Sequence, residues 1–412
     1  MTKLERLIEE LCPNGVEYKK LNTICGIYDG THQTPKYVEN GVKFASVENI
    51  NNPYDTKKYI TVKDYEKYKI KPQRDDVLMT RIGSIGVCTV IDRDEPLAYY
   101  VSLALLRPNG SIINSKFLKY SIESLHGRKE LRKRTLVNAV PIKINKDDIG
   151  KITVPVPPLE VQAEIVRILD KFTELNTELT TELTNRKKQF EYYRDELLSF
   201  DISLEEKSLG DIFDIVTDYV AAGSFASIAE NVKYKKEPDY AQLVRTTDIK
   251  SNFTKNDYVF IDKKAFEFLW RVNLDIECII MPNIGVNCGE VYYLTPEKLP
   301  YKNNALAPNA LLLRSSTNSN KFLSYFFQTK PFQDKLRKII SPGGQTKFNK
   351  TELKKIKIRI PNLDIQNKIV NVLDNFDALC TDISEGIPAE IEARQKQYEY
   401  YRDKLLTFKE AE

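Results

Sequence analysis

The chain has 412 residues, of which 42% are hydrophobic and 29% charged, and its net charge is +4. This composition is ordinary for a globular protein, the length allows two or more domains, and so weak a net charge says little by itself about a nucleic-acid partner. No apolar run approaches the roughly 18 residues of a membrane-spanning helix, and the six scattered cysteines form no CxxC pair, so we expect reduced thiols, no membrane contact and a cytoplasmic location.

The first segment, residues 1–155, mixes short β-like runs with turn signals. The runs at 77–91 and 100–108 are rich in apolar and β-branched residues, which is typical of strands. Residues 115–134 have helical periodicity and end in the basic cluster GRKELRKR. This mixture predicts one α+β domain.

The second segment, residues 156–200, has the pattern of one long helix. Apolar residues recur every three or four positions and form a single stripe, and Pro157 and Pro158 suit a helix start. About 43 helical residues would span roughly 65 Å. The tandem tetrads TELN-TELT-TELT at 173–184 suggest an element that sets length, although an ordinary solvated helix has the same composition.

The third segment, residues 201–357, corresponds faintly to the first. It has β-like runs at 275–285 and 310–314, and residues 320–340 are expected to be helical like 115–134. The motif RIGSIGV of the first segment also resembles NIGVNCGEV of the third. We therefore expect a second α+β domain of about the same plan.

The last segment, residues 358–408, repeats the helical one. Its beginning aligns at an offset of 204, and the ending RKKQFEYYRDELLSF recurs as RQKQYEYYRDKLLTF at an offset of 208. Gly386 and Pro388 predict a kink or short break. The aligned pairs include Leu159 with Leu363, Gln162 with Gln366, Asp170 with Asp374, and Phe172 with Phe376.

An internal repeat settles the architecture before other signals. A long helix with one apolar stripe needs a partner, and the other copy is the nearest candidate. Because a folded segment separates the copies, we expect them to pair as an antiparallel coiled coil. The predicted fold is α+β, with two similar mixed α/β domains separated by two long helical segments in a pseudo-twofold repeat. The alternative is that each helix packs only on its neighbouring domain.

Residues suited to catalysis are scarce. The chain has two histidines and no GxxxxGK[ST] phosphate loop. Asn51-Asn52-Pro53-Tyr54 is a weak match to an amino-methyltransferase tetrad, since it lacks the second proline and no glycine-rich cofactor turn precedes it. We therefore predict no catalytic residue, no cofactor and no metal site.

Polar and basic residues in matching places of the two globular segments are candidates for contact with nucleic acid. Each one alone is an ordinary surface residue, and only the matched set is a signal. In the first segment they are Thr31, Gln33, Lys36, Arg81, Ser84, Lys133 and Arg134. In the third they are Arg245, Asn283, Asn287, Gln345 and Lys347. Candidates for a protein partner at the repeated helix ends are Tyr192, Tyr193, Arg194, Tyr400, Tyr401 and Arg402.

The duplicated VPxPPLxxQxxIVxILDxF-like and RKKQFEYYRDxLL motifs, with the opening LERLIEELCPNGVEYKKL, resemble specificity subunits of type I restriction–modification systems. The resemblance covers the full length. It implies two target-recognition domains, each reading one half of a bipartite duplex DNA target. It also implies that the paired helices set the spacing and dock two methyltransferase subunits, with restriction subunits joining through the complex. Individual base contacts do not carry over, because they vary with the target.

Two other classes of protein remain open at this point. A complete DNA methyltransferase would transfer a labelled methyl group from S-adenosylmethionine, and the missing motifs count against it. A coiled-coil scaffold without DNA binding would shift no duplex in a gel. Selection of bipartite sites from random duplexes would separate both from the specificity subunit.

Overall fold

The computed structural model describes residues 2–200, 203–341, 345–381 and 386–411. The chain forms two compact units: unit 1 is Met1–Thr181 with Ala389–Glu412, and unit 2 is Glu182–Pro388. The division expected from the sequence, at 1–155, 156–200, 201–357 and 358–408, follows chain order. Each compact unit instead combines one globular segment with part of both helical segments.

The elements of unit 1 are short except for the helix that leaves it. Its strands are β1 (Tyr18–Lys20), β2 (Cys25–Asp29), β3 (Val42–Ala45), β4 (Tyr59–Ile60), β5 (Val77–Thr80), β6 (Cys88–Val90), β7 (Leu97–Tyr99), β8 (Leu103–Pro108) and β9 (Thr153–Pro155). Its helices are α1 (Lys3–Leu11), α2 (Leu21–Ile24), α3 (Val62–Glu66), α4 (Ser115–Glu123), α5 (Leu125–Arg134), α6 (Lys146–Gly150) and the first part of α7 (Leu159–Leu197). Single 3-10 turns lie at Val47–Asn49 and Pro53–Asp55.

Unit 2 contains the rest of α7 and a second series of short elements. Its strands are β10 (Glu206–Ser208), β11 (Ile215–Asp218), β12 (Ala241–Val244), β13 (Phe260–Ile261), β14 (Cys278–Pro282), β15 (Tyr292–Leu294), β16 (Asn304–Leu306), β17 (Ala310–Arg314) and β18 (Lys357–Arg359). Its helices are α8 (Leu209–Ile212), α9 (Phe225–Asn231), α10 (Thr246–Lys250), α11 (Lys263–Phe268), α12 (Asn320–Phe327), α13 (Lys330–Arg337), α14 (Lys350–Lys355) and α15 (Leu363–Thr381), with 3-10 turns at Tyr219–Ala222, Trp270–Val272 and Pro296–Lys298. The last helix, α16 (Ile387–Leu405), lies almost entirely in unit 1.

The two units have the same sheet topology, strand for strand. Unit 1 has an antiparallel sheet in the order β2-β8-β5-β6, a three-stranded sheet β4-β3-β7 and the pair β1-β9. Unit 2 has β11-β17-β14-β15, β13-β12-β16 and β10-β18. In each three-stranded sheet one pair is parallel, β3 with β7 and β12 with β16. The predicted repetition of one α+β plan is confirmed.

The segments predicted to be helical, 115–134 and 320–340, each form two helices. Ser124 has extended backbone angles, and its hydroxyl accepts a hydrogen bond from the N–H of Gly127, so α4 ends and α5 begins there. Thr329 is extended in the same way before α13. A serine or threonine that caps a new helix interrupts a pattern that otherwise has continuous helical periodicity.

A buried glutamine fastens each helical segment to its globular segment. Gln162 is fully buried, and its Oε1 accepts a hydrogen bond of 2.8 Å from the backbone N–H of Asn114. Its Nε2 donates to the carbonyls of Ile112 (2.9 Å) and Pro157 (2.7 Å). The carboxamide is therefore satisfied on both sides, as a buried polar group must be.

Gln366 repeats this arrangement in unit 2. Its Oε1 accepts a 2.9 Å hydrogen bond from the backbone N–H of Ser319. Its Nε2 donates to the carbonyl of Pro361 and to Oδ1 of Asn318, both at 2.9 Å. The glutamine kept in both copies of the repeat thus has the same structural task twice.

Eight residues, or about two turns, further along each helix, an aspartate makes a second attachment. Asp170 accepts from the hydroxyl of Tyr120 at 2.7 Å, and its other oxygen lies 2.6 Å from the ammonium of Lys116. Asp374 in unit 2 accepts from Tyr325 at 2.8 Å and pairs with a lysine at 2.7 Å. The two attachments together fix the direction of each helix relative to its own domain.

The two helical segments run antiparallel within each unit. In unit 1 the rings of Phe172 and Tyr401 stack with their centres 5.5 Å apart. One turn later in the first helix, Asn176 donates a 3.4 Å hydrogen bond to Gln395, which comes earlier in the second helix, so the two helices run in opposite directions. In unit 2 the equivalent rings of Tyr193 and Phe376 lie 5.8 Å apart. Each helix therefore packs on the other copy and on its own domain, which combines the two arrangements considered from the sequence.

The second helical segment is interrupted where Gly386 and Pro388 predicted it. Helix α15 ends at Thr381, α16 begins at Ile387, and Gly386 is not helical. Ile383, which belongs to the predicted apolar stripe, lies outside the described residues.

The buried glutamine gives a direct test of this architecture. We predict that Gln162→Leu lowers the free energy of unfolding by roughly 2–4 kcal/mol, because one backbone N–H and two carbonyls lose their buried partner. Urea unfolding followed by far-ultraviolet circular dichroism measures the change. The matched control is Gln189→Leu, an exposed glutamine on the same helix, for which we expect a change within about 0.5 kcal/mol. Equal stability of the two variants would contradict the assignment.

Candidate nucleic-acid interface

Two loops meet at one edge of unit 1. The first is the turn 82–87 after β5, and the second is the hairpin 135–143 after α5. The backbone N–H of Gly83 donates to the carbonyl of Ile142 at 2.9 Å and joins them. Gly83 has φ +78°, and a Cβ there would meet nothing within 4 Å, so glycine is needed for the turn and not for lack of space. We call this pair the joined loops of unit 1.

Unit 2 has the same joined loops. They are the turn 284–289 after β14 and the segment 345–347, where Lys347 forms an antiparallel bridge with Ser341. Residues 342–344 lie outside the described part. The N–H of Gly285 donates to the carbonyl of Thr346 at 2.9 Å, and its φ is +97°. The same edge is thus built twice from different residues.

The side chains of Arg81 and Asn283 bind the backbone that follows the second loop of each pair. Arg81 is 7% exposed, its Nε donates to the carbonyl of Ile144 at 3.2 Å, and its guanidinium forms an ion pair with Asp29. Asn283 donates in the same way to the carbonyl of Phe348 at 3.2 Å. These two predicted DNA contacts therefore have their side chains turned to the protein, and the structure gives them a positioning role.

The chain beside the joined loops of unit 1 is strongly basic. Residues 128–146 contain seven lysines and arginines and one acid, Glu130, a net charge of +6 that exceeds the +4 of the whole chain. Burial opposes the ionisation of Glu130, yet Lys133 and Arg134 hold its pKa below the usual range. The side chain of Lys133 is still 69% exposed. Such a cluster is the electrostatic signature of a polyanionic partner.

The structure brings Thr31, Gln33 and Lys36 together in a cleft of unit 1. This cleft has a volume of about 530 Å³ and lies between the loop that follows β2 and the residues around α3. Gln33 and Lys36 are exposed. Ser84, in the turn 82–87 of the joined loops, is exposed as well. The polar lining leaves donors and acceptors available for a ligand.

The candidates in unit 2 are less uniform. Arg245 is held by Asp248 through a 2.7 Å hydrogen bond, and Asn287 accepts a 2.8 Å hydrogen bond from Lys250. Their polar groups are therefore partly occupied inside the unit. The exposed candidates on the segment 345–347 are Gln345 and Lys347.

The repeated helix ends combine internal packing with exposed surface. Tyr192 and Tyr400 are each 62% exposed, and each contacts the next tyrosine edge-on, at 5.5 and 5.3 Å between ring centres. Those neighbours, Tyr193 and Tyr401, pack on the other helix. Tyr192 and Tyr400 are thus the members of the repeated EYYRD motif that present the larger part of an aromatic ring to solvent.

The arginines and aspartates of the same motif face inward. Arg402 is 5% exposed and lies over the ring of Tyr398 at 5.4 Å. The following residue, Asp403, accepts a 2.9 Å hydrogen bond from the N–H of Leu125 at the start of α5. The second copy repeats this contact: Asp195 accepts from the N–H of Lys330 at 3.2 Å, and Arg194 is largely buried. The structure therefore assigns the arginine candidates to internal contacts.

Within residues 2–200, 203–341, 345–381 and 386–411, no group of three or more His, Cys, Asp or Glu side chains has the arrangement of a metal site. The cysteines in these ranges are free thiols, and Cys288 is the one that is partly exposed. Across the described helices, none combines the length and apolar character of a membrane-spanning segment.

Comparison with known proteins identifies this arrangement. Residues 13–188 and 202–393 both match the family model of the type I restriction modification DNA specificity domain. The chain belongs to this family. Its role in type I restriction–modification is therefore DNA sequence specificity.

Two relatives, from Haemophilus influenzae and Escherichia coli, agree with the family. A Haemophilus influenzae protein described as a type I restriction enzyme specificity subunit is 31% identical over 319 residues, which cover 70% of this chain and 75% of that protein. A type I restriction enzyme specificity subunit of Escherichia coli is 33% identical over 271 residues, and the match covers 64% of each protein. A solved chain of a type I restriction–modification system has a TM-score of 0.63 at 12% identity and covers 96% of this chain and 98% of its own length, which supports the fold.

For a specificity subunit, the sequence reasoning missed two kinds of residue. The aspartates that cap α5 and α13 were seen only as part of a motif, although their exact repetition was a usable signal. Two valines that stand fully exposed on the joined loops, Val140 and Val286, were not considered, because apolar residues are normally expected inside.

Proposed function

We propose that each unit reads one half of a bipartite duplex DNA target and that the chain itself is non-catalytic. The observation that carries this proposal is the joined loops, which occupy the same topological place in both units and differ in their exposed residues. Affinity would come mainly from phosphate contacts of the basic residues, and specificity from base contacts made separately by each unit. A cytoplasmic location fits this role.

We further propose that the repeated helices dock two methyltransferase subunits and that restriction subunits join through the complex. Tyr192 and Tyr400 support this, since two copies of an exposed aromatic motif suit two copies of one partner under pseudo-twofold symmetry. The alternative from the sequence, that these tyrosines only pack the helix pair on itself, fits Tyr193 and Tyr401 better.

The first prediction tests the assignment of one half-site to each unit. Replacing residues 1–150 with the equivalent segment of another family member should change one half of the target and leave the other half unchanged. The readout is sequencing of methylated sites after expression with the methyltransferase subunits in a host without methylation. The matched experiment replaces residues 203–355 and should change only the other half. A change of both halves by either exchange would sink the proposal.

The second prediction tests the docking surface. Native mass spectrometry should find two methyltransferase subunits on the unmodified chain, one on Tyr192→Ala or Tyr400→Ala, and none on the double variant. We expect each substitution to weaken its site by about tenfold or more, as for a buried aromatic at an interface. Tyr234→Ala, at a 57% exposed tyrosine away from the helical segments, is the control. Unchanged stoichiometry with lowered thermal stability would favour the packing alternative.

The third prediction concerns the tetrads at 173–184, which contain the boundary between the units. Four helical residues rise about 6 Å and rotate about 400°, a net turn of ~40°. One base pair rotates the duplex by roughly 35°. Deleting Thr177–Thr180 should therefore keep both half-sites and shorten the gap between them by about one base pair.

The same sequencing of methylated sites measures this gap. The apolar stripe survives the deletion, because leucine recurs every four residues in this run. As a control, the double substitution Thr177→Ala and Thr180→Ala keeps the helix length and should leave the gap unchanged. An unchanged gap in the deletion variant, or altered half-site letters, would show that the tetrads are ordinary helix.

A further inference from the structure

The joined loops of unit 1 carry an unusual amount of apolar surface. Val140 is fully exposed and Val137 is 63% exposed, while Leu136 and Ile142 are 43% and 40% exposed. Scattered exposed apolar residues are normal, but four within seven positions of one hairpin form a patch. Folding does not require these side chains at the surface, so they are available to a partner.

The surroundings of this patch define the chemistry of that partner. The hairpin follows directly on α5, whose last turn contains three basic residues, and Lys143 is exposed at its far end. The partner must therefore present negative charge around an apolar feature. Duplex DNA has this combination, because phosphates border grooves that expose thymine methyl groups and stacked bases.

Unit 2 places an apolar residue on the other member of its joined loops. Val286 is fully exposed on the turn 284–289, next to Gly285 with its positive φ. The segment 345–347 of unit 2 is polar, with Gln345 and Lys347 exposed. In each unit, then, one fully exposed valine stands on the joined loops, and the loop that carries it differs.

Resting on the proposed function, we propose that Val140 and Val286 are apolar wedges, each of which enters a DNA groove at its own half-site and partly unstacks one base step. A two-stranded hairpin is narrow enough for a groove. Apolar side chains, leucine and isoleucine among them, are a known means of separating base steps. The hydrogen bond from Gly83 to Ile142 supports the hairpin from behind, so the tip can resist the stacked bases.

The test uses the full chain with its methyltransferase subunits and a duplex of the target that methylated-site sequencing identifies. A fluorescent adenine analogue, whose emission rises when stacking is lost, is placed in turn along both half-sites, except at the methylated base. The unmodified complex should give increased emission at one step in each half. Val140→Ser should abolish the signal in one half only, and Val286→Ser in the other half only.

The affinity of each variant should fall on the order of tenfold, as for the loss of one specific base-pair interaction. The slope of affinity against salt concentration should not change, because no charge is removed. Ile276→Ser is the matched control, since Ile276 is 59% exposed but lies before β14, at the opposite end of that strand from Val286. It should bind like the unmodified chain.

Three outcomes would contradict the proposal that Val140 and Val286 are wedges. If Val140→Ser and Val286→Ser keep both emission and affinity, the wedge assignment is wrong while the proposed function stands. If they bind fewer methyltransferase subunits in native mass spectrometry, the patch belongs to a protein interface. If the unmodified complex binds no duplex, the proposed function fails first and the wedges fail with it.

Discussion

The attachment of each helix to its domain through one buried carboxamide is the constraint on which the rest of the structure depends. Gln162 and Gln366 offer a donor and an acceptor to backbone groups that have no other partner in the interior. An apolar residue would leave those groups unsatisfied, and a charged residue would have to be desolvated. The contacts of Gln162 are all to backbone atoms, and Gln366 makes two backbone contacts and one side-chain contact, with Asn318, so most of each contact is independent of the side chains of the attached segment.

This explains why the two helical copies are alike while the globular segments differ. The first copy contacts the first globular segment through Gln162 at its start and the second globular segment through Asp195 at its end. The second copy contacts the second globular segment through Gln366 and the first through Asp403. Each of these residues therefore makes the same contact in its unit that its counterpart makes in the other unit. The exposed residues of the joined loops satisfy no such internal requirement, and they diverge.

The repeat, the α+β plan and the antiparallel pairing were predictable, because apolar periodicity and internal alignment can be read directly from the sequence. Which polar residues are exposed on the surface was not predictable. Arg81 was predicted to be a surface contact, but its guanidinium pairs with Asp29, 52 positions earlier in the chain. No local sequence pattern reveals an ion pair between residues so far apart. The sequence did not reveal that α4 ends before Ser124. The apolar periodicity continues through this position, although the serine hydroxyl caps a new helix there.

The position of Gln162, Gln366, Asp195 and Asp403 in the helical segments also has a consequence for inheritance. A crossover between two related genes that falls in the sequences encoding the repeats would exchange a whole globular segment and keep these four residues with their helices. The hybrid would fold at its first appearance where the incoming segment also carries the tyrosine and lysine that contact the helical aspartate. New specificities in such a lineage would then arise by abrupt replacement of one domain, and slow change of single surface residues would be the lesser source.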